Sequence, residues 1–155
     1  MAKTMTLEFE YPAPAATVVD LLKDPAFRES VCEAQHATSH SVAVVGDALD
    51  ITYTQPVRGV PSFATKFVGE SVEIRQRETW TGLTANFEVT LPGKPGDLTG
   101  TRTLSASADS THEAVTMTAK VSLPLVGGKL EDLILQIFKK GAEREHRTAI
   151  IALGG

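Results

Sequence analysis

The sequence predicts an α+β fold in which a curved antiparallel sheet of seven strands wraps around one long C-terminal helix, with two short helices after the first strand. Apolar and polar residues alternate in seven segments, and the short spacing between most of them is typical of antiparallel hairpins. From Leu130 to Gly141, apolar and small residues recur at helical spacing and form one stripe. Because the apolar face of such a sheet must be covered, we expect this helix to lie against it.

The N-terminal part of the chain is predicted to form one strand and two helices. Residues 4–11 alternate, and the prolines that follow end the strand. Residues 15–23 carry apolar residues at helical spacing. A second short helix is predicted to begin after Asp24, a favourable N-cap residue, with Pro25 at its first position, and to end near residue 34. The residues on the inner face of the first strand are Met5, Leu7, Phe9 and Tyr11.

Six further strands and the long helix follow. Phe63 and Phe67 lie between two of these strands, where they form either a satellite hydrophobic cluster or a flexible gate over a cavity. The last helix is predicted to begin after Gly127-Gly128 and to extend to about residue 153. The strands are predicted at about residues 36–46, 48–57, 70–80, 83–91, 99–108 and 113–123.

The composition and the chain ends argue against several classes of protein. A formal net charge of −4 and a pI near 5.5 argue against nucleic-acid binding. No apolar run approaches the roughly 18 residues of a membrane span, so we expect no stable membrane insertion. The chain ends show neither a secretory signal nor a lipidation motif, so the expected compartment is the cytoplasm. The 155 residues, 42% of them hydrophobic, are expected to form one domain over residues 1–155.

Sequence motifs for catalysis, metal binding and phosphate binding are missing. Leu123 stands where a P-loop ending at Gly128-Lys129 needs its first glycine. His36 and His40 are four residues apart, but in a strand that spacing separates them by about 13 Å, which disfavours a shared metal ion. Cys32, the single cysteine, is interpreted as a small buried helix residue rather than as a catalytic thiol. We therefore predict no metal ion, no cofactor and no catalytic residue.

Several polar residues fall on the predicted apolar faces. Gln76 and Glu78 lie in such a face of one strand, Arg102 in that of another, and Glu145 continues the stripe of the last helix. Three explanations stay open: the faces run out into solvent, Arg102 pairs with a buried glutamate, or these groups line a cavity and meet the polar end of a ligand. Gly141 either permits close contact between sheet and helix or leaves room for a ligand. The predicted ligand-binding residues are Tyr53, Gln55, Gln76, Glu78, Trp80, Phe87, Arg102, Met117, Ile134, Phe138, Gly141 and Glu145.

The element order and several short motifs resemble a known superfamily. The motifs are Tyr11-Pro12-Ala13-Pro14, Asp24-Pro25-Ala26-Phe27, Val60-Pro61-Ser62, Lys66-Phe67-Val68-Gly69, Glu78-Thr79-Trp80 and the run from Leu123 to Glu131. The chain resembles the START-like or helix-grip superfamily, which includes birch-pollen-allergen-like proteins and the polyketide cyclase/dehydrase and lipid-transport group. More narrowly, it is similar to an actinobacterial family of unknown function, number 2505. The superfamily resemblance implies a cavity for an apolar or amphipathic small molecule, and the narrower family implies no established activity.

The sequence favours a binding function over the alternatives. We predict that the chain binds or carries a hydrophobic or amphipathic small molecule, lipid-like or polyketide-like, in a cavity between the sheet and the last helix. One alternative is a cyclase or dehydratase acting on a similar substrate, for which Glu78, Glu145, Tyr53 and Arg102 are the candidate groups. Another is a non-catalytic interaction module with a solid core, for instance a homodimer formed through an exposed surface.

Overall fold

The computed structural model of the chain describes residues 2–154. Within these residues there are seven strands and four helices, and their order along the chain matches the predicted fold class. The elements are β1 (Ala2–Tyr11), α1 (Ala15–Lys23), α2 (Pro25–Ala34), β2 (Ser39–Val45), β3 (Ala48–Pro56), α3 (Ser62–Val68), β4 (Ser71–Thr81), β5 (Thr84–Thr90), β6 (Asp97–Ser107), β7 (Ser110–Lys120) and α4 (Gly127–Ala152).

All seven strands form one antiparallel sheet in the order β1-β7-β6-β5-β4-β3-β2. Consecutive strands from β2 to β7 are neighbours, and most of the connections between them are short, which favours antiparallel pairing. The exception is the connection between β3 and β4, which contains α3. The helices α1 and α2 carry the chain from β1 to the opposite edge of the sheet. Asp24 caps α2 as predicted, since its carboxylate accepts a hydrogen bond of 3.2 Å from the backbone N–H of Phe27. These features confirm the predicted fold class.

The register places the inner-face residues of neighbouring strands in rows across the sheet. In one row, Glu78 pairs with Phe87, Phe87 with Gly100, and Gly100 with Met117. A Cβ atom at Gly100 would lie 2.4 Å from Phe87 Cζ and 2.2 Å from the backbone oxygen of Thr116. Only glycine fits at this position, and the Phe87 ring takes the space that a side chain would need.

The helix α4 packs on the inner side of the sheet and against α2. Leu130 and Ile134 of the predicted apolar stripe are buried, and so are Leu135 and Ala149 outside it. The stripe residues Leu133, Ile137 and Phe138 are half-buried. Charged residues also occur along its length, and no helix within residues 2–154 is both long and apolar enough to cross a membrane.

Three local features differ from the prediction. The segment after Pro61 forms a short helix, α3, that buries Ala64 completely, whereas the sequence placed only two phenylalanines between strands. The helix α4 includes Gly127, where a Cβ atom would lie 2.7 Å from the backbone oxygen of Val121. The strand β2 begins at Ser39 because the chain leaves α2 through a turn in which His36 has a positive φ of 62°. Hydrophobic periodicity does not report the features behind these differences, such as a positive φ or a close contact with backbone.

Candidate ligand-binding site

A large cleft, which we call the main cleft, lies between α4 and the part of the sheet near α3. Its volume is about 550 Å³. Its apolar side chains come from α4, from α3 and β4, and from the loops that follow β3 and β5. They are Val57, Val60, Phe67, Val68, Val72, Ile74, Leu91, Leu130, Leu133, Ile134, Ile137 and Phe138.

A second, smaller space lies deeper in the fold, and we call it the inner cavity. Its volume is about 80 Å³, roughly a seventh of the volume of the main cleft. Polar side chains of Arg28, Tyr53, Gln76, Arg102 and Glu145 line it together with apolar residues. The inner cavity thus joins a few buried polar groups to a mostly apolar lining, and it is too small for the body of a ligand.

A buried network of charged side chains centred on Arg102 forms one wall of the inner cavity, and we call it the Arg102 cluster. The guanidinium donates from Nε to Glu113 Oε2 at 2.7 Å, from Nη1 to Glu78 Oε1 at 3.2 Å, and from Nη2 to Glu145 Oε2 at 2.5 Å. Arg102 lies on β6 and pairs with Ala85 on β5. Because Ala85 is small, the Arg102 side chain extends over β5 to reach Glu78 on β4.

Further polar groups complete the Arg102 cluster. Tyr11 donates its hydroxyl hydrogen to Glu113 Oε1 at 2.7 Å, and Trp80 donates from Nε1 to Glu78 Oε2 at 2.9 Å. Gln76 donates to Glu78 Oε1 at 3.3 Å. Charge-assisted hydrogen bonds of this kind compensate for the cost of burying ionised groups.

Arg28 on α2 brings a second guanidinium to the cluster. Its Nη1 atom lies 2.8 Å from Glu145 Oε1 and forms an ion pair with it. The geometry of this contact does not meet the criteria for a hydrogen bond. Arg28 is only 3% exposed, and its Nε has no hydrogen-bond partner among residues 2–154. Since Arg28 also lines the inner cavity, this recess contains donor capacity that the protein itself does not use.

The electrostatics of the Arg102 cluster favour its charged state. Burial disfavours the charged form of Glu145, but the positive charges of Arg102 and Arg28 outweigh it and hold the pKa of Glu145 at about 2. Burial likewise opposes the charged form of Arg102, yet the surrounding glutamates raise the pKa of that guanidinium well above its usual value. Burial and the nearby Glu113 raise the pKa of Tyr11, so its hydroxyl remains a donor.

These contacts decide between the three explanations for the polar residues on the apolar faces. The explanation that the faces run out into solvent is wrong, because Glu78 is 1% exposed and Arg102 is 4% exposed. Arg102 pairs with both Glu78 and Glu145, so a buried ion pair accounts for all three residues. Arg102 and Glu145 also line the inner cavity, so the pairing and the cavity coexist.

The structure places ten of the twelve predicted ligand-binding residues in the walls of the two spaces. Phe138 lines both of them, whereas Glu78 and Trp80 line neither and lie behind the inner cavity. Gln55 and Ile134 line the main cleft. The other predicted residues, which line the inner cavity, are Tyr53, Gln76, Phe87, Arg102, Met117, Gly141 and Glu145.

Sequence reasoning missed three members of the Arg102 cluster as site residues. Glu113 lies two residues before Val115 on β7, so strand alternation already placed it on the buried face. Arg28 lies four residues before Cys32, on the same side of α2, so helical spacing carried the same signal. Tyr11 was placed on the inner face, but its partner lies 102 residues away in the sequence.

The remaining sequence candidates have structural roles in this region. A Cβ atom at Gly141 would lie 3.3 Å from Gln35 Nε2, and the Gly141 carbonyl accepts a hydrogen bond from that atom at 3.0 Å. Gly141 therefore allows α2, rather than the sheet, to approach α4. Cys32 is buried on α2, and burial raises the pKa of its thiol, which keeps it protonated. Among residues 2–154, no three His, Cys, Asp or Glu side chains are placed to hold a metal ion.

The fold and this site define the class of protein. A seven-stranded antiparallel sheet wrapped around a long C-terminal helix is the helix-grip fold. Residues 6–150 match the family described as "Protein of unknown function (DUF2505)". The chain belongs to this family, which confirms the narrower of the two resemblances seen in the sequence.

The chain is also similar to individual proteins and to solved structures. The uncharacterized protein Rv0481c of Mycobacterium tuberculosis strain H37Rv is 31% identical over 112 residues, which is 63% of this chain. The chain spans about 64% of the length of that relative. Among solved structures, TTHA0849 from Thermus thermophilus superposes with a TM-score of 0.70 at 19% identity, covering 99% of this chain and 100% of that one. The Zhui aromatase/cyclase from Streptomyces sp. R1128 superposes with a TM-score of 0.69 at 12% identity, covering 97% and 92%. These two likenesses show that the chain has the helix-grip fold.

Proposed function

We propose that this protein binds or carries a hydrophobic or amphipathic small molecule, lipid-like or polyketide-like, in the main cleft. The single observation that carries the proposal is the cleft itself. Its volume of about 550 Å³ falls within the roughly 300–1,000 Å³ typical of small-molecule sites, and apolar side chains from both the sheet and α4 line it. Burial of ligand methylenes against these side chains supplies a driving force of about 0.8 kcal/mol each.

The inner cavity offers a place for a polar group of the same ligand. Gln35 and Phe138 line both spaces, so these two side chains form the partition between them. In our proposal, a ligand that displaces Phe138 brings a hydrogen-bond acceptor within reach of the unused Nε donor of Arg28. The seven predicted ligand-binding residues that line only the inner cavity would then contact the inner end of the ligand.

Binding fits the described side chains better than catalysis does. A cyclase or dehydratase needs a general acid or base whose pKa lies near the working pH. The pKa of about 2 makes Glu145 a poor acid and a poor base, and its carboxylate is held by Arg102 and Arg28. Burial raises the pKa of Tyr53, which disfavours its phenolate. These features support a binder over the enzyme that the shared fold with an aromatase/cyclase suggests.

The main cleft is also difficult to reconcile with the interaction module that the sequence left as an alternative. Such a module needs a solid core, whereas α4 and the sheet leave a volume of about 550 Å³ between them. Filling that volume is therefore the most direct test of the proposed function.

The test compares two Ile→Trp variants of α4 in a binding assay with N-phenyl-1-naphthylamine, a neutral apolar dye that fluoresces when it leaves water. Ile137 lines the main cleft, whereas Ile151 lies on the same helix, is 74% exposed and does not line the cleft. We expect Ile137→Trp to lower the dye affinity at least tenfold because the indole fills the cleft, and Ile151→Trp to leave it unchanged. Equal dye affinity in the two variants would refute binding in the main cleft.

Native mass spectrometry of protein purified from its own host provides a second, independent measurement. We expect a retained small molecule that Ile137→Trp loses and Ile151→Trp keeps. If the dye does not bind and no small molecule is retained, the proposed function is wrong.

A further inference from the structure

The charges around the main cleft are all of one sign. Arg58, Lys94, Lys140 and Arg144 line it, and no aspartate or glutamate does. The whole chain has a formal net charge of −4, so the charge at the cleft is opposite in sign to the net charge of the molecule. A cleft lined by one sign of charge attracts a ligand of the opposite sign.

None of these four side chains forms a salt bridge within residues 2–154, although several other basic residues do. Lys3, Lys23 and Arg75 pair with aspartates at 2.7, 2.5 and 2.8 Å. By contrast, Arg144 makes only a hydrogen bond to the neutral Gln35 Oε1 at 3.1 Å. The positive charges at the cleft therefore have no acidic partner within salt-bridge distance among residues 2–154.

The four basic residues come from three separate segments. Arg58 lies in the connection between β3 and α3, Lys94 lies in the loop between β5 and β6, and Lys140 and Arg144 lie one helical turn apart on α4. The apolar residues Ile134, Ile137 and Phe138 on α4 belong to the same cleft. The main cleft thus combines an apolar surface for a chain with unpaired positive charges for a head group.

We propose that the ligand of the main cleft is an anionic amphiphile with a single long apolar chain and a carboxylate or phosphate head group. This inference rests on the proposed function and specifies the chemical class of its ligand. A methylene occupies about the volume of a water molecule, about 30 Å³, so 550 Å³ accommodates a chain of on the order of 15 methylenes. The guanidinium groups of Arg58 and Arg144 suit carboxylate and phosphate oxygens because they can donate two parallel hydrogen bonds.

The test compares ligands that share one chain and differ in head group. Palmitate, hexadecyl phosphate and the neutral hexadecanol, each kept below its aggregation limit, compete with N-phenyl-1-naphthylamine for the cleft. We expect palmitate and hexadecyl phosphate to displace the dye at concentrations at least tenfold lower than hexadecanol at low salt, and this advantage to shrink at high salt. The order of the two anions then assigns the natural head group to the fatty acids or to the phosphate-headed lipids.

Two double variants with the same change in net charge show whether the preference for anionic ligands comes from the charges at the cleft. Arg58→Gln with Lys140→Gln removes one guanidinium and one ammonium group from the cleft, whereas Arg147→Gln with Lys139→Gln removes the same two kinds of group from positions that do not line it. We expect the first variant to weaken palmitate binding on the order of tenfold and hexadecanol binding not at all. The second variant is expected to bind both ligands like the wild type.

The outcomes separate this inference from the proposed function. If hexadecanol displaces the dye as well as palmitate does, the ligand is not anionic, but the proposed binding of an apolar molecule stands. If the two double variants weaken palmitate binding equally, the charges at the cleft do not recognise the head group and the inference is wrong. If neither the dye nor any of the three ligands binds, both the inference and the proposed function are wrong.

Discussion

Replacement of Arg102 by methionine is the sharpest test of how the interior of this protein is stabilised. Methionine keeps much of the length of the side chain but removes its charge and its donors. Three hydrogen bonds to carboxylates, at 2.7, 3.2 and 2.5 Å, are lost together. Glu78 and Glu113 then remain buried without a guanidinium partner, because Arg28 reaches only Glu145.

The contacts and the burial set the expected magnitude. Each hydrogen bond to a charged group contributes about 1.5–3 kcal/mol, which gives a nominal loss of about 5–9 kcal/mol for three. Part of this loss is offset because Arg102 no longer has to be desolvated, and removal of one partner from a buried ion pair typically costs about 3–5 kcal/mol. We expect a loss of about 4 kcal/mol in the free energy of unfolding, a large part of the roughly 5–15 kcal/mol that stabilises a typical domain.

Arg75→Met is the matched control on the same sheet. Arg75 on β4 makes a two-pronged salt bridge with Asp50 on β3, at 3.2 and 2.8 Å, but both side chains are about 40% exposed. Exposed pairs contribute about 0–1 kcal/mol because water solvates the separated charges nearly as well. The same substitution is therefore expected to cost several kcal/mol less at Arg75 than at Arg102.

Urea unfolding measures both variants. The single tryptophan, Trp80, is 2% exposed and lies beside the Arg102 cluster, so its fluorescence reports this region, and far-ultraviolet circular dichroism reports the whole fold. With a slope of about 1–3 kcal/mol per molar urea, the loss in Arg102→Met shifts the midpoint by about 2 M. If Arg102→Met does not fold, Arg102→Lys, which keeps the charge but not the fork of donors, is compared with Arg75→Lys. A loss at Arg102 no larger than the loss at Arg75 would refute the role assigned to the cluster.

Three further predictions follow from single side chains. The pKa of Glu145 is about 2 in the folded protein against an ordinary value of 4.5, so its negative charge stabilises the fold by about 3 kcal/mol above pH 4.5. This contribution is lost as the pH falls from about 4.5 to 2. In urea titrations the difference in unfolding free energy between the wild type and Glu145→Gln should therefore shrink over that range, and a constant difference would contradict this prediction. Gly100→Ala should lower the melting temperature, at a cost of at least about 1–3 kcal/mol, because the new Cβ atom would collide with the backbone and with Phe87. The control is Gly128→Ala on α4, whose Cβ atom would meet nothing closer than 3.7 Å. We expect this control to be neutral or stabilising by up to about 1 kcal/mol. Hydrogen bonds to Glu10 and, to a smaller extent, Glu8 raise the pKa of His112, so NMR titration should give a pKa above 6.5 that falls toward 6.5 in about 1 M salt. The stability that these hydrogen bonds provide should be present below pH 6.5 and lost as the pH rises through the folded pKa. A pKa at or below 6.5 in low salt would show that the hydrogen bonds do not form in solution.

The candidate site could be predicted in part because burial follows from local alternation. Glu78 and Arg102 were singled out because they fall on apolar strand faces, and the structure buries both. Strand alternation likewise places Glu113 on the buried face of β7, and helical spacing places Arg28 on the buried face of α2. Alternation reports which side a residue faces, but it does not report which residue lies opposite.

The sequence by itself determined the fold class, because strand alternation, the stripe of α4 and the capping residue Asp24 are local patterns of period two or 3.6. Only the tertiary structure decided which charges pair, since Arg28 and Glu145 lie far apart in the chain and meet where α2 packs on α4. It also decided where space is left. Three of the polar residues that suggest a cavity, Gln76, Arg102 and Glu145, line a recess of about 80 Å³. The cleft of about 550 Å³ opens instead near α3, an element that periodicity does not indicate. Empty volume is what remains when side chains from distant segments fail to fill the gap between two surfaces, and no local pattern encodes that difference.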